Sequence, residues 1–453
     1  MARLFGTNGI RGVFGRDLTL DLALEVSYTL ATYFRDKPVL VGYDGRHSSV
    51  ALSKVVRAGL NSLGVDVADA GLVPTPCLQY CVKRLGYRGG VMITASHNPP
   101  EYNGMKVMAR DGVELSREEE LRVEEIYFSK KFGTEWDAIG DDVKEERTVD
   151  TYIDGVLSLV DVDLIRSKRL TVVLDVGNGA QAVAAPKLME SLGCRVITIN
   201  SAIDGSFPAR GSEPTPHNLS LLSQTVRDNS ADLGIAFDGD GDRSIFCSDQ
   251  GEVYGGDKSG AILTEHVLSK NREKDAKVVT PINSSALIDI VAGRFNAEVI
   301  KTKVGSVEVS RKMLGISALV GLEENGGFMY AKHIPVRDGA MSGALMLEAV
   351  ASRSKRLSEL VNGLPTFYQY KTKFACTKEE SRRIVERLVS KAEGKRIETL
   401  DGVKIWVTDT SWAMVRQSGT EPVLRLYAES DDGKFLDEIV QDHTKEINSV
   451  IKG

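Results

Sequence analysis

The sequence predicts an α/β protein that has three domains of similar plan, followed by a smaller α+β domain. Three observations support this prediction. The chain has 453 residues, which is too long for one hydrophobic core. Three separate segments have the pattern strand, polar turn, amphipathic helix, turn and strand, which is typical of a βαβ unit. The region after residue 366 instead alternates several short strands with only two helices.

The three βαβ segments begin with PVLVGYDGR at 38–46, LTVVLDVGNGAQAV at 170–183 and AKVVTPINSS at 276–285. Each begins with an apolar strand and turns at Gly, Asp, Asn or Ser. In the first segment the helix is indicated by apolar residues at helical spacing, from Leu52 to Leu63. The repeat is one of structure rather than of sequence identity.

The sequence of the C-terminal region predicts an antiparallel sheet with helices on one face. Its strands are YQYKTKFAC (368–376), GVKIWVTD (402–409), SWAMVRQS (411–418) and VLRLYAES (423–430), with a helix over 375–393 and a closing helix. Linkers are expected near 145–155, 250–258 and 360–367, where charged residues or Gly and Pro punctuate the chain. The predicted domains are therefore 1–150, 151–253, 254–365 and 366–453.

Composition limits the classes of function. The net charge of −6 gives no reason to expect a nucleic-acid partner. The N-terminus lacks the apolar core of a signal peptide, and no apolar run is long enough to span a membrane. The five cysteines are odd in number and scattered, which favours reduced thiols in a cytoplasmic protein over disulfides or zinc.

The stretch LGIAFDGDGDRSIF (233–246) is the most specific in the chain. Asp238, Asp240 and Asp242 alternate with glycine, so that three carboxylates crowd one loop and repel one another unless a cation is bound. An EF-hand would need glycine where Arg243 stands and glutamate where Asp249 stands. An acidic surface turn is the other alternative. The oxygen-rich loop favours Mg²⁺ with coordination sites left open for a phosphoryl oxygen.

A second polar loop, TASHNPPEYNGMK (94–106), follows an apolar strand. Two prolines make this loop stiff, and it presents Ser96 and His97 ten residues before Lys106. A capped polar turn would be the ordinary interpretation of such a loop. The predicted metal loop needs an oxygen-rich reactive group, which favours a different interpretation, in which Ser96 is phosphorylated and its phosphoryl oxygens meet the cation.

Two further loops have the side chains expected at a sugar phosphate site. Arg416, Ser418, Gly419 and Thr420 surround a turn between strands, and their guanidinium, hydroxyl and backbone N–H groups suit a phosphate. The stretch 320–330 carries Glu323 and a nearby amide, which suit vicinal sugar hydroxyls. A hairpin loop and an acidic turn are the respective alternatives. Together the loops predict phosphoryl transfer on a phosphosugar.

At this point the motifs resemble those of the α-D-phosphohexomutase family, phosphoglucosamine mutases among them, in order and over essentially the whole chain. The motifs that carry the resemblance are FGTNGIRG (5–12), TASHNPPEYNGMK (94–106), DGDGDR (238–243), KVG (303–305), LEENGG (322–327) and RQSGTEP (416–422). The resemblance implies four domains around a central cleft and an isomerase that moves a phosphoryl group within a hexose phosphate.

The resemblance also implies roles for individual residues. Ser96 would carry the phosphoryl group, and one Mg²⁺ per chain would be held by Ser96, Asp238, Asp240 and Asp242. A hexose bisphosphate would be the intermediate or activator. The catalytic groups implied are Ser96, Lys106, Arg11, His97 and Arg243, and the substrate-binding groups are Lys303, Glu323, Asn325, Arg416, Ser418, Gly419 and Thr420. Lys106 is expected to be the proton shuttle, since neighbouring cations can lower the pKa of a lysine.

The sugar is less well indicated than the reaction. Many relatives have serine at the position of Asn325 and histidine at the position of Gly327. The opening FGT-x-GIRG is similar to the phosphoglucosamine branch, and Glu324 adds a carboxylate that could attract a 2-ammonium group. These features favour glucosamine phosphate, with mannose or glucose phosphate as the alternative.

Other classes of function fit the sequence less well. A phosphatase would not need a second site, such as the loop around Arg416, that binds a phosphate without transferring it. An inactive binding protein would be expected to have lost Ser96 or an aspartate, and this chain has kept them. The expected partner is a small phosphosugar, not a nucleic acid or a membrane, and a homodimer is compatible with the sequence.

Overall fold

The computed structural model describes residues 4–6, 9–35, 38–133, 136–271, 275–392, 394–417 and 422–451. The chain forms four sheets in sequence order, which confirms the predicted fold class of three similar α/β domains and a C-terminal α+β domain. Within this described part, no helix combines the length and apolarity needed to cross a membrane.

The first sheet holds the loop that contains Ser96. Its strands are β1 (Ile10–Val13), β2 (Val39–Tyr43), β3 (Val67–Leu72), β4 (Gly89–Ile93), β5 (Tyr102–Met108) and β6 (Asp142–Lys144), with helices α1 (Leu20–Phe34), α2 (Ser49–Asn61), α3 (Thr75–Arg84) and α4 (Arg117–Ser129). The strand order is β1-β5-β4-β2-β3-β6. Strand β2 is parallel to β3 and β4, whereas β5 is antiparallel to β4. The chain therefore reverses direction at the loop between β4 and β5.

A helix occupies most of the stretch expected to be a linker near 145–155. The two helices between the first and second sheets are α5 (Thr148–Leu157) and α6 (Val162–Lys168). Tyr152, Ile153 and Val156 of α5 are buried in the same core as residues of α3. The charged residues of this stretch indicated a linker, but its apolar residues have helical spacing and form a packed helix next to the boundary between the first two domains.

The second sheet positions the aspartate loop. Its strands are β7 (Thr171–Asp175), β8 (Arg195–Ile199), β9 (Leu233–Phe237), β10 (Ser244–Ser248) and β11 (Val253–Tyr254), with α7 (Ala185–Ser191), α8 (Ser220–Asp228) and a 3₁₀ turn over Ala180–Val183. The order is β11-β10-β9-β7-β8. Strands β9 and β10 are antiparallel and pair Phe237 with Ser244. The aspartates therefore form the turn of a hairpin whose two strands are buried.

The third sheet carries the sugar-loop candidate, residues 322–327. Its strands are β12 (Lys277–Pro281), β13 (Glu298–Thr302), β14 (Val320–Leu322), β15 (Phe328–Tyr330) and β16 (Ile334–Arg337), with helices α9 (Gly256–Asn271), α10 (Ala286–Gly293), α11 (Ser306–Ile316), α12 (Gly339–Arg353) and α13 (Leu357–Asn362). The order is β13-β12-β14-β15-β16. Strand β12 is parallel to β13 and β14, and β14 is antiparallel to β15. The sugar loop is therefore also the turn of a hairpin.

The fourth sheet is antiparallel throughout. Its strands are β17 (Tyr368–Ala375), β18 (Ile397–Glu398), β19 (Val403–Trp406), β20 (Trp412–Gln417) and β21 (Val423–Ser430), with helices α14 (Lys378–Lys391) and α15 (Gly433–Ile451). Helix α14 begins with a capping box formed by Thr377 at its N-cap and Glu380 in its first turn, which satisfies N–H groups at this end of the helix.

The hydrophobic core separates the fourth domain from the rest. One large cluster runs through the first three domains, whereas the C-terminal sheet and its helices have a core of their own. A smaller cluster joins the fourth domain to the third. Its buried members are Ile282, Ala286, Trp406, Trp412, Met414 and Tyr427.

A buried lysine lies in this junction. The ammonium of Lys404 donates to the carbonyl of Ile282 at 2.9 Å and lies 3.8 Å from the centre of the Trp412 ring. Burial has the largest effect on the pKa of Lys404 and lowers it to about 7. The nearby charged groups are Lys301, Glu398, Glu429 and Asp289.

We expect Lys404 to make the stability of the fourth domain depend on pH. The pKa of Lys404 is about 7 in the folded protein and about 10.4 for an ordinary lysine. Between these two pH values, Lys404 binds a proton in the unfolded chain but not in the folded one. Stability should therefore rise with pH through this window. Thermal midpoints of wild type and Lys404→Met, compared from pH 6 to 10, measure the effect as a difference. Parallel pH profiles for the two proteins would contradict it.

Candidate active site

The metal-loop prediction is supported by the burial and spacing of its carboxylates. Asp238, Asp240 and Asp242 are buried, and each offers an oxygen within 4.8 Å of the others. Burial, followed by the negative charges of Asp242 and Asp240, raises the pKa of Asp238 to about 8. Burial alone would also raise the pKa of Asp240, but the ammonium of Lys106 and the hydroxyl of Thr75 hold that pKa well below its usual value. The loop is a concentrated negative site.

The donor set fits a magnesium ion. Asp240 Oδ1 and Asp242 Oδ1 are buried and have no hydrogen-bond partner in the described part of the chain. Such unsatisfied carboxylate oxygens are costly, and hard divalent cations prefer ligands of this kind. Asp238, Asp240 and Asp242 would hold the ion, which would withdraw charge from a phosphoryl group on Ser96.

Ser96 lies directly against this loop. Its hydroxyl donates to Asp238 Oδ2 at 2.9 Å, and its backbone N–H donates to the hydroxyl of Thr94 at 2.8 Å. Ser96 is fully buried and has a φ of 51°, in the left-handed region. This region is uncommon for residues other than glycine and is often found at functional sites. The serine and the aspartates, 142 residues apart in sequence, form one site.

Arg46 holds the serine loop, and the sequence analysis missed it. Its guanidinium donates to the carbonyls of Ser96 and Asn98 at 2.7 Å, and to those of Pro99 and Tyr102 at 2.6 and 2.9 Å. It also pairs with Asp44 at 3.1 Å, and both side chains of this ion pair are fully buried. A buried DGR turn after a strand was the available signal. Its partners are about fifty residues away and could not be identified from sequence.

Lys106 belongs to the site, but its protonation differs from the prediction. Its ammonium donates to Asp240 Oδ2 at 2.8 Å and to Asp242 Oδ2 at 2.9 Å. Burial works to lower the pKa of Lys106, but the two carboxylates outweigh burial and nearby cations, and they raise it. The expectation of a lowered pKa was wrong because the effect of Asp240 and Asp242 exceeds that of the cations Arg337 and Arg11.

Three other predicted groups surround Ser96. Arg11 donates to Asn98 Oδ1 at 2.8 Å, and burial lowers its pKa to about 10. Arg243 lies with Nε 3.9 Å from both Asp238 and Asp242. His97 Nδ1 is 3.5 Å from the Ser96 hydroxyl. The positive charge of Arg243, then burial and Arg11, lower the pKa of His97 to about 2, so its imidazole is neutral.

The structure adds a second residue that sequence reasoning missed, Arg337 at the end of β16. Its guanidinium lies 2.6 Å from Asp242 and 3.2 Å from Glu323. Charges from these carboxylates outweigh burial and raise the pKa of Arg337 well above its usual value. Arg337 therefore joins the aspartate loop to the sugar loop.

The sugar loop is a tight turn with two different acidic residues. Glu323 is buried and faces Arg337. Asn325 closes the turn by accepting from Gly327 N at 3.2 Å. Glu324 instead accepts from Asn283 at 3.0 Å and pairs with Lys371 of the fourth domain. Glu324 therefore has a cationic partner within the protein, and its attraction for a sugar ammonium stays a prediction.

Arg416, the described side chain of the candidate phosphate-binding loop, lies at the junction between the third and fourth domains. Arg416 Nε is 3.0 Å from Asp401 Oδ2, which also accepts from Val304 N at 3.0 Å. Lys303 is exposed and, within the described residues, its ammonium forms no ion pair with the aspartates. Ser418, Gly419 and Thr420 lie outside the described residues.

Comparison with known families covers nearly the whole chain. Residues 2–134, 150–251 and 255–368 match the phosphoglucomutase/phosphomannomutase alpha/beta/alpha domains I, II and III, and residues 372–446 match the C-terminal domain of the same family. The chain belongs to the phosphoglucomutase/phosphomannomutase family. It is therefore a phosphohexomutase, an isomerase, as the sequence motifs predicted.

Individual relatives of this phosphohexomutase support the same family. A phosphoglucosamine/phosphogalactosamine mutase of Sulfurisphaera tokodaii is 43% identical over 100% of both chains. A phosphoglucomutase/phosphomannomutase of Thermococcus kodakarensis is 39% identical, also over 100% of both. The crystal structure of a phosphoglucomutase/phosphomannomutase family protein from Burkholderia thailandensis has a TM-score of 0.88 and 27% identity, and the match covers 99% of this chain and 97% of that one.

We expect Mg²⁺ to raise the thermal midpoint of the wild type, because ligation relieves repulsion in the folded state and selectively stabilises it. Asp238→Asn should abolish that increase. At pH 8.5 without metal, the same variant should be more stable than the wild type, because its neutral amide removes a carboxylate whose ionised form is disfavoured by burial and by Asp242 and Asp240. Differential scanning calorimetry with and without Mg²⁺ measures both effects. An equal Mg²⁺-dependent increase in both proteins would place the ion elsewhere.

Proposed function

We propose that this phosphohexomutase interconverts glucosamine 6-phosphate and glucosamine 1-phosphate through a phosphoserine enzyme and a sugar bisphosphate. The main support is the buried Ser96 hydroxyl, which lies 2.9 Å from Asp238 beside two unsatisfied aspartate oxygens. A phosphoryl group on Ser96 would bring negative charge into contact with Arg11, Arg243 and the metal site.

In the proposed reaction, a free hydroxyl of the hexose phosphate attacks the phosphorus carried by Ser96. A new sugar O–P bond forms, and the bond between phosphorus and Ser96 Oγ breaks. His97 has Nδ1 3.5 Å from Ser96 Oγ, so it borders the oxygen that leaves phosphorus, and its pKa of about 2 makes it a poor base for the attacking hydroxyl. The proton of that hydroxyl passes to an oxygen of the transferred phosphoryl group as the loose transition state collapses. Lys106 has a raised pKa, which suits it to stabilise charge or donate a proton rather than to act as the base.

The second half of the reaction is the reverse of the first with the sugar turned around. The bisphosphate presents its other phosphate to Ser96, and that phosphoryl group returns to the serine. Glu323 and Asn325 would bind sugar hydroxyls, and Arg416 with Ser418, Gly419 and Thr420 would hold the phosphate that is not transferred. The separate core of the fourth domain supports a loosening and regripping motion of this wall.

The choice of glucosamine rests on two sequence comparisons. The opening FGTNGIRG is similar to the phosphoglucosamine branch, and the Sulfurisphaera relative is named for glucosamine and galactosamine phosphates. The Thermococcus relative, named for glucose and mannose phosphates, keeps those sugars as the second candidate substrates.

A direct assay distinguishes these substrates and tests the nucleophile. Purified enzyme with Mg²⁺ and a trace of the matching bisphosphate should interconvert the 1- and 6-phosphates of glucosamine faster than those of glucose or mannose, followed by ³¹P NMR. Peptide mapping should find phosphate on Ser96, and Ser96→Ala should lower kcat by about a thousandfold or more, because the covalent step is lost. A higher kcat/KM for mannose or glucose phosphate would make that sugar the substrate, and phosphate only on another serine would overturn the assignment of Ser96.

Substitution of Arg416 tests whether this loop binds the phosphate that is not transferred. Losing a charge-assisted pair whose partner stays desolvated costs on the order of 2–4 kcal/mol. Arg416→Ala should therefore raise KM strongly and release the bisphosphate into solution, and Arg416→Lys should recover part of the loss. Phosphate transfer from Ser96 to added hexose phosphate should persist at a reduced rate. The exposed Arg382 of α14 provides a matched control as Arg382→Ala. Unchanged KM and no leakage for Arg416→Ala would make the turn an ordinary hairpin.

A further inference from the structure

The side chain of Arg337 fills the space that a side chain at Gly327 would need, across the hairpin of the sugar loop. A Cβ atom added to Gly327 would lie 2.8 Å from Cγ of Arg337 and closer still to its Cδ. Real Cβ atoms do not approach other atoms so closely, and the neighbour here is the buried stem of an arginine. The glycine at 327 therefore leaves the room through which Arg337 reaches the site, and a histidine at 327 could not coexist with Arg337 in this position.

The guanidinium of Arg337 contacts two loops with different proposed functions. Lys106 contacts two aspartates of the metal loop, and Arg11 contacts the serine loop. Arg337 instead contacts Asp242 through Nη2 and Glu323 through Nη1. Two donors held in one rigid plane fix the distance and orientation between these carboxylates.

We propose that Arg337 is a positioning residue that couples sugar binding to the metal loop. It orients Glu323 toward the sugar hydroxyls through one donor. Through the other it shares Asp242 with the metal ion, so that its positive charge weakens metal binding at that carboxylate. The sugar part of this inference rests on the proposed role of Glu323.

The proposal predicts opposite changes in two affinities, which a purely structural role would not produce. In Arg337→Met, Asp242 loses a competing cation, so Mg²⁺ should bind at least about threefold more tightly. Glu323 loses the donor that orients it, so glucosamine 6-phosphate should bind about tenfold more weakly. Both are measured by isothermal titration calorimetry on the full-length protein, with Ser96 dephosphorylated as shown by intact mass.

Two further variants separate charge from geometry. Arg337→Lys keeps a cation near Asp242 but has no second donor held in the same plane. Its Mg²⁺ affinity should stay near that of the wild type, while its affinity for glucosamine 6-phosphate should fall as in Arg337→Met. Gly327→Ala should displace the Arg337 stem and weaken sugar binding, and it should add little when combined with Arg337→Met. Arg382→Met, on the exposed surface of α14, controls for loss of one positive charge.

Several results would overturn the proposal. Mg²⁺ affinities that are equal in wild type and Arg337→Met, including no measurable binding in either, would exclude the coupling to Asp242. A parallel loss of both affinities with a lowered thermal midpoint would reduce Arg337 to a structural residue. Additive effects of Gly327→Ala and Arg337→Met would exclude the shared space.

Failure of this inference is distinguishable from failure of the proposed function. If wild type binds glucose 6-phosphate or mannose 6-phosphate instead of glucosamine 6-phosphate, the substrate assignment fails. The same titrations with the sugar phosphate that does bind then still test Arg337. The Mg²⁺ titrations do not depend on the identity of the sugar.

Discussion

The mutual repulsion of three buried aspartates is the constraint on which the rest of the site depends. Carboxylates this close cannot all be ionised in a dry environment without nearby positive charge. Lys106 supplies that charge from the first domain and Arg337 from the third, while Arg243 follows the loop itself. Ion pairs from the first and third domains therefore meet at the aspartate loop of the second domain, and these charges offset the repulsion between the carboxylates.

Sequence reasoning located the groups that lie in compact motifs. The alternating aspartates predicted a cation site, and the structure places their oxygens together with two of them unsatisfied. The serine in the stiff proline loop was predicted to meet that loop, and its hydroxyl does lie against Asp238. Likewise, the βαβ pattern predicted parallel strand pairs, which the structure shows in three of its sheets. Each motif is local and can be recognised in the sequence, whereas the contact between the two loops was inferred from chemistry, because a metal loop needs an oxygen-rich group to bind.

The residues that were missed act over long sequence distances. Arg46 holds carbonyls about fifty residues away, and Arg337 contacts an aspartate 95 residues earlier. A lone arginine at a strand end has many possible partners, so sequence alone could not choose among them. The error about the pKa of Lys106 has the same origin, because it depended on which charged groups surround the ammonium. That information is tertiary.

The continuous core of the first three domains has a consequence for the symmetry of the chemistry. The strands and helices that carry Ser96, the aspartates and Glu323 all contribute residues to this core, whereas the fourth domain has a core of its own. In the proposed reaction, a bisphosphate that reorients would therefore return to the same packed surface. One transition-state geometry would then serve the forward and the return transfer, and a single set of catalytic groups would suffice for a reaction at two ends of one molecule.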